Sequence, residues 1–354
     1  MKRFDERDNM IARMNLQMSS KWYNDYYKRH PEKESIDNQI RSLPDICGEE
    51  SSTYHPLHSR LPIAVYKLLG DINPFSEGQE SNEKIDVEPE SISEKLKKFA
   101  LYFGAVKVGI TEMKDVFYYS HRGRKESSYG DVVTPNHKYA IVFAIEMDQD
   151  MINRAPEMEE VFEVSKGYLD AGIIGLVLTY FIRELGYEAR NHMDANYLVV
   201  APLVAESAGL GQLGRMGILI TKEYGPRVRL GIVTTNMELI PDEAADFGLT
   251  KFCILCRKCA ETCSSNAIPT TSGEITNGHV KWEINAEACY KKWRSLGTDC
   301  GICLSSCPFS QGVDLEKIEL MKDNTEIMTD ILKEHKQQHG IREHIKTPLD
   351  LLKD

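Results

Sequence analysis

Eight of the nine cysteines in this 354-residue chain lie between positions 253 and 307. They form the runs Cys253-x2-Cys256-x2-Cys259-x3-Cys263 and Cys300-x2-Cys303-x3-Cys307, with Cys289 between them. This spacing is typical of a bacterial-ferredoxin-like module with two four-iron, four-sulfur clusters, in which the fourth cysteine of a run reaches the other cluster. Two such clusters require eight thiolates, which is the number that the two runs and Cys289 supply.

The spacing assigns the eight cysteines to two sets of ligands. The first set is Cys253, Cys256, Cys259 and Cys307, and the second is Cys263, Cys289, Cys300 and Cys303. Cys47 is left over as a buried or incidental thiol. Paired zinc sites and a disulfide scaffold are the rival interpretations. Zinc knuckles usually carry two CxxC pairs instead of a triple run, and Pro308 after Cys307 favours iron–sulfur.

Length and charge limit what the rest of the chain can do. A chain of 354 residues that is 42% hydrophobic can bury a body much larger than a ferredoxin. The net charge of −11 argues against a nucleic-acid partner. The N-terminus shows no apolar signal core and no twin-arginine pair, and the longest apolar stretch, residues 171–182, is too short to span a bilayer. We therefore expect a cytoplasmic protein with no membrane contact.

Four segments are expected along the chain. Residues 1–92 are predicted to be an N-terminal extension and linker that pack on the core, polar and irregular up to residue 75 and acidic beyond it. Residues 93–248 are the predicted core, 249–312 the cluster module and 313–354 C-terminal helices.

The core pattern predicts an α+β fold. Helices are expected at residues 93–104, capped by Ser93, and at 158–185. Strands are expected at residues 106–111, 139–145, 197–201, 216–221 and 227–234.

Two glycine-containing turns precede predicted strands. Gly209-Leu-Gly-Gln-Leu-Gly-Arg215 could present backbone amides to a phosphate, although it lacks the context of a dinucleotide-binding loop. Gly225-Pro-Arg227-Val-Arg229 enters a strand in which one arginine could point inward.

Several of these motifs carry a family resemblance. The stretch from Ala205 to Ile268, with GLGQLGRMGILITKEYGPRVRLGIVTTNMEL and FCILCRKCAETC, closely resembles the reductive dehalogenases, which are corrinoid-dependent iron–sulfur enzymes. The segments CYKKWRSLGTDCGICLSSCPFSQG, RFDERDNMIARM and FIRELGY are similar as well. Epoxyqueuosine reductase, which acts on tRNA, is a more distant relative.

The resemblance implies a nitroreductase-like α/β core that encloses cobalamin, with the ferredoxin-like module packed against it. It also implies a base-off corrinoid without a protein histidine ligand, and the DxHxxG signature of histidine-on binders is absent from the sequence.

The resemblance also suggests site residues. Tyr168 in SKGY is similar to the catalytic tyrosine of the family, Arg227 to the cation beside it, and Asp194 to a polar neighbour. The implied cofactor-binding residues are Gly209, Gly211, Gly214, Arg215 and His192. A cation beside Tyr168 is expected to lower the pKa of its phenol and to make it a better acid.

The implied function is reductive dehalogenation of a small organohalide. Two clusters relay electrons to form Co(I), which cleaves the carbon–halogen bond, and a tyrosine supplies the proton. A soluble ferredoxin or flavoprotein is the expected donor. The alternatives are a corrinoid reductase of a non-halogenated substrate, such as a tRNA epoxide, and an electron-transfer protein.

Overall fold

The computed structural model describes residues 2–276 and 279–353, except for the side chains of Thr276 and His279. Residues 277 and 278, within the predicted cluster module, lie outside this part. The helices are α1 Met10–Met14, α2 Lys21–Arg29, α3 Pro31–Arg41, α4 Arg60–Ile72, α5 Pro89–Tyr102, α6 Gln149–Ile152, α7 Met158–Glu184, α8 Ala201–Ser207, α9 Leu249–Cys256, α10 Lys258–Glu261, α11 Ala286–Leu296, α12 Ile302–Ser305, α13 Leu315–Met321 and α14 Thr325–His339. The strands are β1 Lys107–Glu112, β2 Tyr139–Glu146, β3 Ala189–His192, β4 Gln212–Leu213, β5 Leu219–Ile220, β6 Val228–Thr235, β7 Glu274–Thr276 and β8 His279–Lys281.

A four-stranded antiparallel sheet, in the order β1-β2-β6-β3, lies at the centre of the core. Side chains alternate between the two faces of a strand. Ile141 and Phe143 of β2 therefore pack with α5 and α7, whereas Ala140 and Val142 pack with α8 on the opposite face. The predicted mixture of helix and sheet is confirmed.

Helix α7 crosses the inner face of this sheet. Ala171, Ile174, Leu178 and Ile182 recur at a spacing of three or four residues and are all buried against the sheet. The helix begins at the predicted residue and ends one residue before the predicted end. Because the helix is long, its first half extends beyond the sheet, and Tyr168 packs against the cluster module.

The N-terminal region is helical, in contrast to the predicted irregular structure. Ser20 caps α2 by accepting a hydrogen bond from the Tyr23 backbone N–H, and Pro31 begins α3. Arg13 pairs with buried Asp37 at 2.5 Å and with Glu287 of α11 at 2.8 Å. The extension therefore also packs against the cluster module. These helices were not predicted from the sequence because few of their side chains are apolar, so the segment shows no clear apolar period.

The predicted strand at residues 197–201 is wrong. Val199 forms only an isolated bridge with Tyr118, and α8 begins at Ala201. Pro202 suits the first turn of a helix because proline lacks the backbone N–H that a strand ladder requires.

Two further boundaries differ from the predictions. Helix α5 begins at Pro89, and the predicted cap Ser93 lies inside it, donating its hydroxyl to the Pro89 carbonyl at 2.7 Å. The strand predicted at residues 216–221 shrinks to β5, because Gly217 turns the chain with a φ of 74°.

The cluster module packs on the core through a separate buried cluster of side chains. Phe247, Phe252 and Phe309 lie at its centre, and α13 and α14 cover it with Ile318 and Met328, among others. C-terminal helices were predicted, but the limits of the four segments stay predictions. In the part of the chain that the structure describes, no helix combines the length and the apolar character needed to cross a bilayer.

Candidate active site

Tyr168 and Arg229 form the centre of the candidate site. The Arg229 guanidinium lies 4.9 Å from the centre of the Tyr168 ring, at a distance typical of cation–π contacts. Arg229 reaches this position across Gly167, where a Cβ would lie 2.7 Å from its Cγ. The glycine of SKGY thus makes room for the arginine beside the tyrosine.

The prediction that Arg227 lies beside Tyr168 is wrong. Arg227 donates to the carbonyl of Ser310 at 2.9 Å, to the carbonyl of Met147 at 2.5 Å and to the Glu146 carboxylate at 3.0 Å. Because Arg227 and Arg229 are two residues apart along an extended segment, their side chains point to the same face of the sheet. Arg227 precedes β6 and ties the core to the cluster module, while Arg229 is one step further along, over α7.

Burial and nearby charges oppose each other at the Tyr168 phenol. Arg229 has the largest influence and lowers its pKa, but burial, together with Asp194 and Asp299, raises it, and the net pKa is raised. The expected decrease is therefore not found. Tyr168 is protonated at neutral pH, which is the form that can donate a proton. No described residue hydrogen-bonds its hydroxyl.

Asp194 belongs to the same charged neighbourhood. Its carboxylate lies 3.5 Å from the Arg124 guanidinium, and its backbone carbonyl accepts a hydrogen bond from Asn73 at 2.9 Å. Arg124 is a residue that sequence reasoning missed. It also lowers the pKa of Tyr168, although less than Arg229 does.

Tyr66 is a second missed residue. It lies on α4, and its ring centre is 6.1 Å from that of Tyr168. Its pKa is raised well above the usual value, mainly by burial and to a smaller extent by Asp299 and Tyr168. A sequence signal was absent, because Tyr66 sits in an ordinary amphipathic helix.

Two buried carboxyl groups complete the surroundings. Asp299 lies 3.8 Å from Arg229, and burial raises its pKa. Glu160 is fully buried on α7, and neither carboxyl oxygen has a hydrogen-bond partner among the described residues. Burial and then Asp299 raise its pKa well above the usual value. Burial therefore favours the neutral form of the Glu160 carboxyl group.

His192 is held by the protein itself. Its Nδ1 accepts from the Leu198 backbone N–H at 3.1 Å, so Nε2 carries the proton and donates to Thr234 at 2.9 Å. Burial, followed by Arg190 and His137, lowers its pKa well below the usual value. Both ring nitrogens are thus hydrogen-bonded within the protein, and the role of His192 in cofactor binding stays a prediction.

The three predicted cofactor-binding glycines pack against protein backbone or side chain. A Cβ at Gly209 would lie 2.3 Å from the Glu243 carbonyl, and one at Gly211 would lie 2.2 Å from the Ile220 carbonyl. A Cβ at Gly214 would lie 2.4 Å from Ile220 Cδ1. Close packing around the β4–β5 hairpin explains the glycines without a ligand. Their contact with a cofactor stays a prediction.

Arg215 points to the cluster module instead of to Tyr168. Its guanidinium donates to the carbonyls of Cys253, Pro269 and Thr271, and it lies 4.9 Å from the centre of the Trp282 ring. Arg215 thus contacts the surroundings of the first set of cysteines, and its predicted role in cofactor binding stays a prediction.

The cysteines are unpaired, and their assignment to two sets of ligands stays a prediction. All nine are free thiols. Burial raises the pKa of Cys307 well above its usual value, followed by Cys256, Cys253 and Cys259. The pKa of Cys289 is raised by burial first, and then by Cys300 and Cys263. Cys307 thus lies near the other three members of the first set, and Cys289 lies near two members of the second. The thiol with the largest influence on Cys303, however, is Cys259 of the first set, ahead of Cys300, Cys289 and Cys263.

The first set surrounds an open space. Cys253, Cys256, Cys259 and Cys307, together with Arg215, line a partly open cavity. Among the described residues, no three or more His, Cys, Asp or Glu side chains are arranged around one point as ligands of a single metal ion. Four thiols around a cavity fit a polynuclear cluster better than a single ion.

Comparisons with known proteins agree with this arrangement. Residues 252–311 match the family model of the 4Fe-4S dicluster domain, which favours clusters over zinc. The chain is 36% identical over 214 residues to the tetrachloroethene reductive dehalogenase of Sulfurospirillum multivorans, covering 57% of this chain and 42% of the relative. The predicted relationship to the reductive dehalogenases is confirmed.

The reductive dehalogenase fold extends over nearly the whole chain. The solved structure of the catabolic reductive dehalogenase NpRdhA, in complex with 3-bromo-4-hydroxybenzoic acid, superposes with a TM-score of 0.76 at 23% identity, covering 96% of this chain and 47% of that chain. The chain thus spans less than half the length of these two reductive dehalogenases. The epoxyqueuosine reductase of Lactococcus garvieae is more distant, at 24% identity over 257 residues, covering 63% of this chain and 71% of the relative.

Proposed function

We propose that this chain is a corrinoid-dependent reductive dehalogenase of a small organohalide. The observation that carries the proposal is the buried contact between Arg229 and the ring of Tyr168, in a chain that also has eight free cysteines in the region that matches a 4Fe-4S dicluster domain. The overall reaction adds two electrons and a proton to a carbon–halogen bond, giving a carbon–hydrogen bond and a halide ion. The relationship to the reductive dehalogenases supports this choice.

The site residues fit the cofactors that the reaction requires. Eight thiols would hold two four-iron, four-sulfur clusters as first assigned. Around Tyr168, the buried Nε atoms of Arg229 and Arg124 lack hydrogen-bond partners among the described residues. A buried donor without a partner costs about 1–3 kcal/mol, so a ligand rich in acceptors, as a corrinoid is, would satisfy them. When bound, the corrinoid supplies a nucleophilic cobalt, and the clusters supply electrons one at a time.

Tyr168 is the proposed proton donor. Its raised pKa keeps the proton on the phenol until the substrate carbon accepts it. Arg229 then stabilises the phenolate, because a guanidinium at this distance in a buried site interacts strongly with a new negative charge. Asp194 does not contact the substrate in this proposal but restrains Arg124, and Arg227 has a positioning role.

Several finer features belong to the same proposal. They are a nitroreductase-like core over residues 93–248, a base-off corrinoid without a histidine ligand, a cytoplasmic location and a soluble ferredoxin or flavoprotein as electron donor. The placement of His192, with both ring nitrogens occupied, is compatible with a corrinoid that takes no protein ligand.

The deciding experiment is anaerobic reconstitution of the full chain with cobalamin, iron and sulfide, followed by metal analysis and a visible spectrum. We expect about eight irons and one cobalt per chain, and halide release from chlorinated or brominated substrates with a reduced viologen as donor. Eight irons without cobalt would leave an electron-transfer protein. Cobalt without halide release, but with reduction of an epoxyqueuosine-containing tRNA stem-loop, would favour the alternative reductase.

A further inference from the structure

Arg215 is a buried cation at the wall of the first cysteine set. Its side chain belongs to the β4–β5 hairpin of the core and is 1% exposed. It donates to the Cys253 carbonyl from Nε at 3.1 Å and from Nη2 at 2.8 Å. Nη1 donates to the carbonyls of Pro269 at 2.8 Å and Thr271 at 2.5 Å. These four hydrogen bonds to three backbone carbonyls fix the orientation of the planar guanidinium.

The charge of Arg215 has no carboxylate partner within the described residues. Its hydrogen bonds all go to backbone carbonyls, and the face of the guanidinium lies on Trp282. A buried charge without a counter-charge is costly. The groups that would supply the opposite charge are the four cysteines that line the same cavity as Arg215, once they hold a cluster as thiolates.

We propose that Arg215 is the built-in counter-charge of the cluster held by Cys253, Cys256, Cys259 and Cys307, and that it raises the reduction potential of this cluster. The inference rests on the cluster assignment made in the proposed function, but not on the substrate or on cobalt. It assigns to Arg215 a role different from the predicted contact with the corrinoid.

The physical reason is the change of charge on reduction. One electron from an external donor takes a four-iron cluster with four thiolates from two negative charges to three, and no bond or proton changes. A fixed positive charge stabilises the more negative state, and its effect is large where water is excluded. Arginine stays charged in such a site, so the stabilisation persists at any pH at which the protein folds.

A second cation provides a matched control. Arg257 lines the same cavity, but its side chain is exposed to solvent. Water screens an exposed charge far more than a buried one. If burial of the charge sets the potential, Arg257 has a much smaller influence than Arg215, although both are arginines beside the same cysteines.

The test is a redox titration followed by electron paramagnetic resonance, on the anaerobically reconstituted full chain and its variants Arg215→Met, Arg215→Lys and Arg257→Gln. For Arg215→Met we expect the first cluster to be reduced at least tenfold less readily, which is about 59 mV for a one-electron couple. The second cluster is the internal reference and should not shift. Arg215→Lys keeps the charge and should shift the first cluster less than threefold, as should Arg257→Gln.

Each alternative outcome has a definite meaning. Equal shifts in the Lys and Met variants would show that the hydrogen bonds matter and the charge does not, and would overturn the proposal. The same holds if Arg215→Met leaves the potential unchanged, or if neither variant retains eight irons, which would make Arg215 a structural residue. If the Met variant loses iron while the Lys variant keeps both clusters at their original potentials, the charge is required and the proposal stands. All of these results are independent of cobalt binding and halide release.

Discussion

Arg229 lies over the ring of Tyr168, 4.9 Å from its centre, because Gly167 leaves the space through which the arginine passes. The contact joins a residue of β6 to a residue of α7 that is 61 positions earlier in the chain. It places a permanent positive charge beside the one phenol that we propose as proton donor. The chemistry of the site therefore depends on how a helix lies on a sheet.

Replacing Tyr168 by Phe should lower kcat about 10²–10⁴-fold, since that is the usual contribution of a general acid. The variant keeps the aromatic ring, so cobalt and iron contents should not change. Halide release under single-turnover conditions is the measurement. Full turnover by a correctly loaded Tyr168→Phe protein would falsify the assignment.

Arg229→Gln and Arg227→Gln should behave differently. Because Arg229 is the largest influence lowering the pKa of Tyr168, its removal should raise that pKa further. The loss of activity as pH rises through the Tyr168 pKa should then occur at higher pH, with a lower kcat. Arg227→Gln should leave the position of this alkaline limb unchanged and affect mainly stability. If the alkaline limb shifted only in the Arg227 variant, Arg227 would be the cation that acts on Tyr168, as the sequence predicted.

Cys303→Ser should reduce the iron content from about eight to about four per chain, because one cluster loses a thiolate ligand. Cys47→Ser is the control, since Cys47 is buried among Met158, Val161 and Phe162, and it should keep all of the iron. Iron analysis and electron paramagnetic resonance would establish both contents. Loss of iron in the Cys47 variant would show that the ligand assignment is incomplete.

Arg13→Met should destabilise the N-terminal region by about 3–5 kcal/mol, because it leaves Asp37 buried without its partner. The side chains of Arg13 and Asp37 are 2% and 0% exposed. Arg29→Met breaks an exposed pair with Asp25, with exposures of 37% and 49%, and should cost at most about 1 kcal/mol. Denaturant unfolding and limited proteolysis would compare the two variants.

His335 should make the fold sensitive to acid. Burial, then Lys258 and His339, lower its pKa from 6.5 to about 3. As pH falls below 6.5, the unfolded chain binds a proton that the folded chain does not, so the free energy of unfolding decreases down to about pH 3.

His335→Leu should remove roughly 1 kcal/mol of this loss between about pH 7.5 and about pH 5.5. It should not destabilise the protein at neutral pH, because neither ring nitrogen has a hydrogen-bond partner among the described residues. Thermal unfolding at the two pH values measures both effects. His30→Leu keeps His335 and should therefore keep the acid-induced loss.

The local parts of the fold were predictable. The ends of α7 and β6 lie within one residue of the predicted ends, because a long periodic pattern of apolar residues is a strong signal. The strand predicted at residues 197–201 was wrong, because the run Tyr-Leu-Val-Val is typical of a strand but is followed by Pro202 in the first turn of α8. The N-terminal helices were missed because their stability comes from contacts such as Arg13–Asp37, which composition does not reveal.

The sequence by itself predicted the eight cysteine ligands through the spacing of the two runs, and it showed the resemblance to the reductive dehalogenases through motifs of the same local kind. Only the tertiary structure decided that Arg229 and not Arg227 meets Tyr168, that Arg215 faces the cluster module, and that His192 is bound on both sides. Most of these contacts join residues that are far apart in the chain. They therefore depend on the register of the strands and on how closely a helix or hairpin packs against its neighbour at a glycine, which local sequence patterns do not reveal.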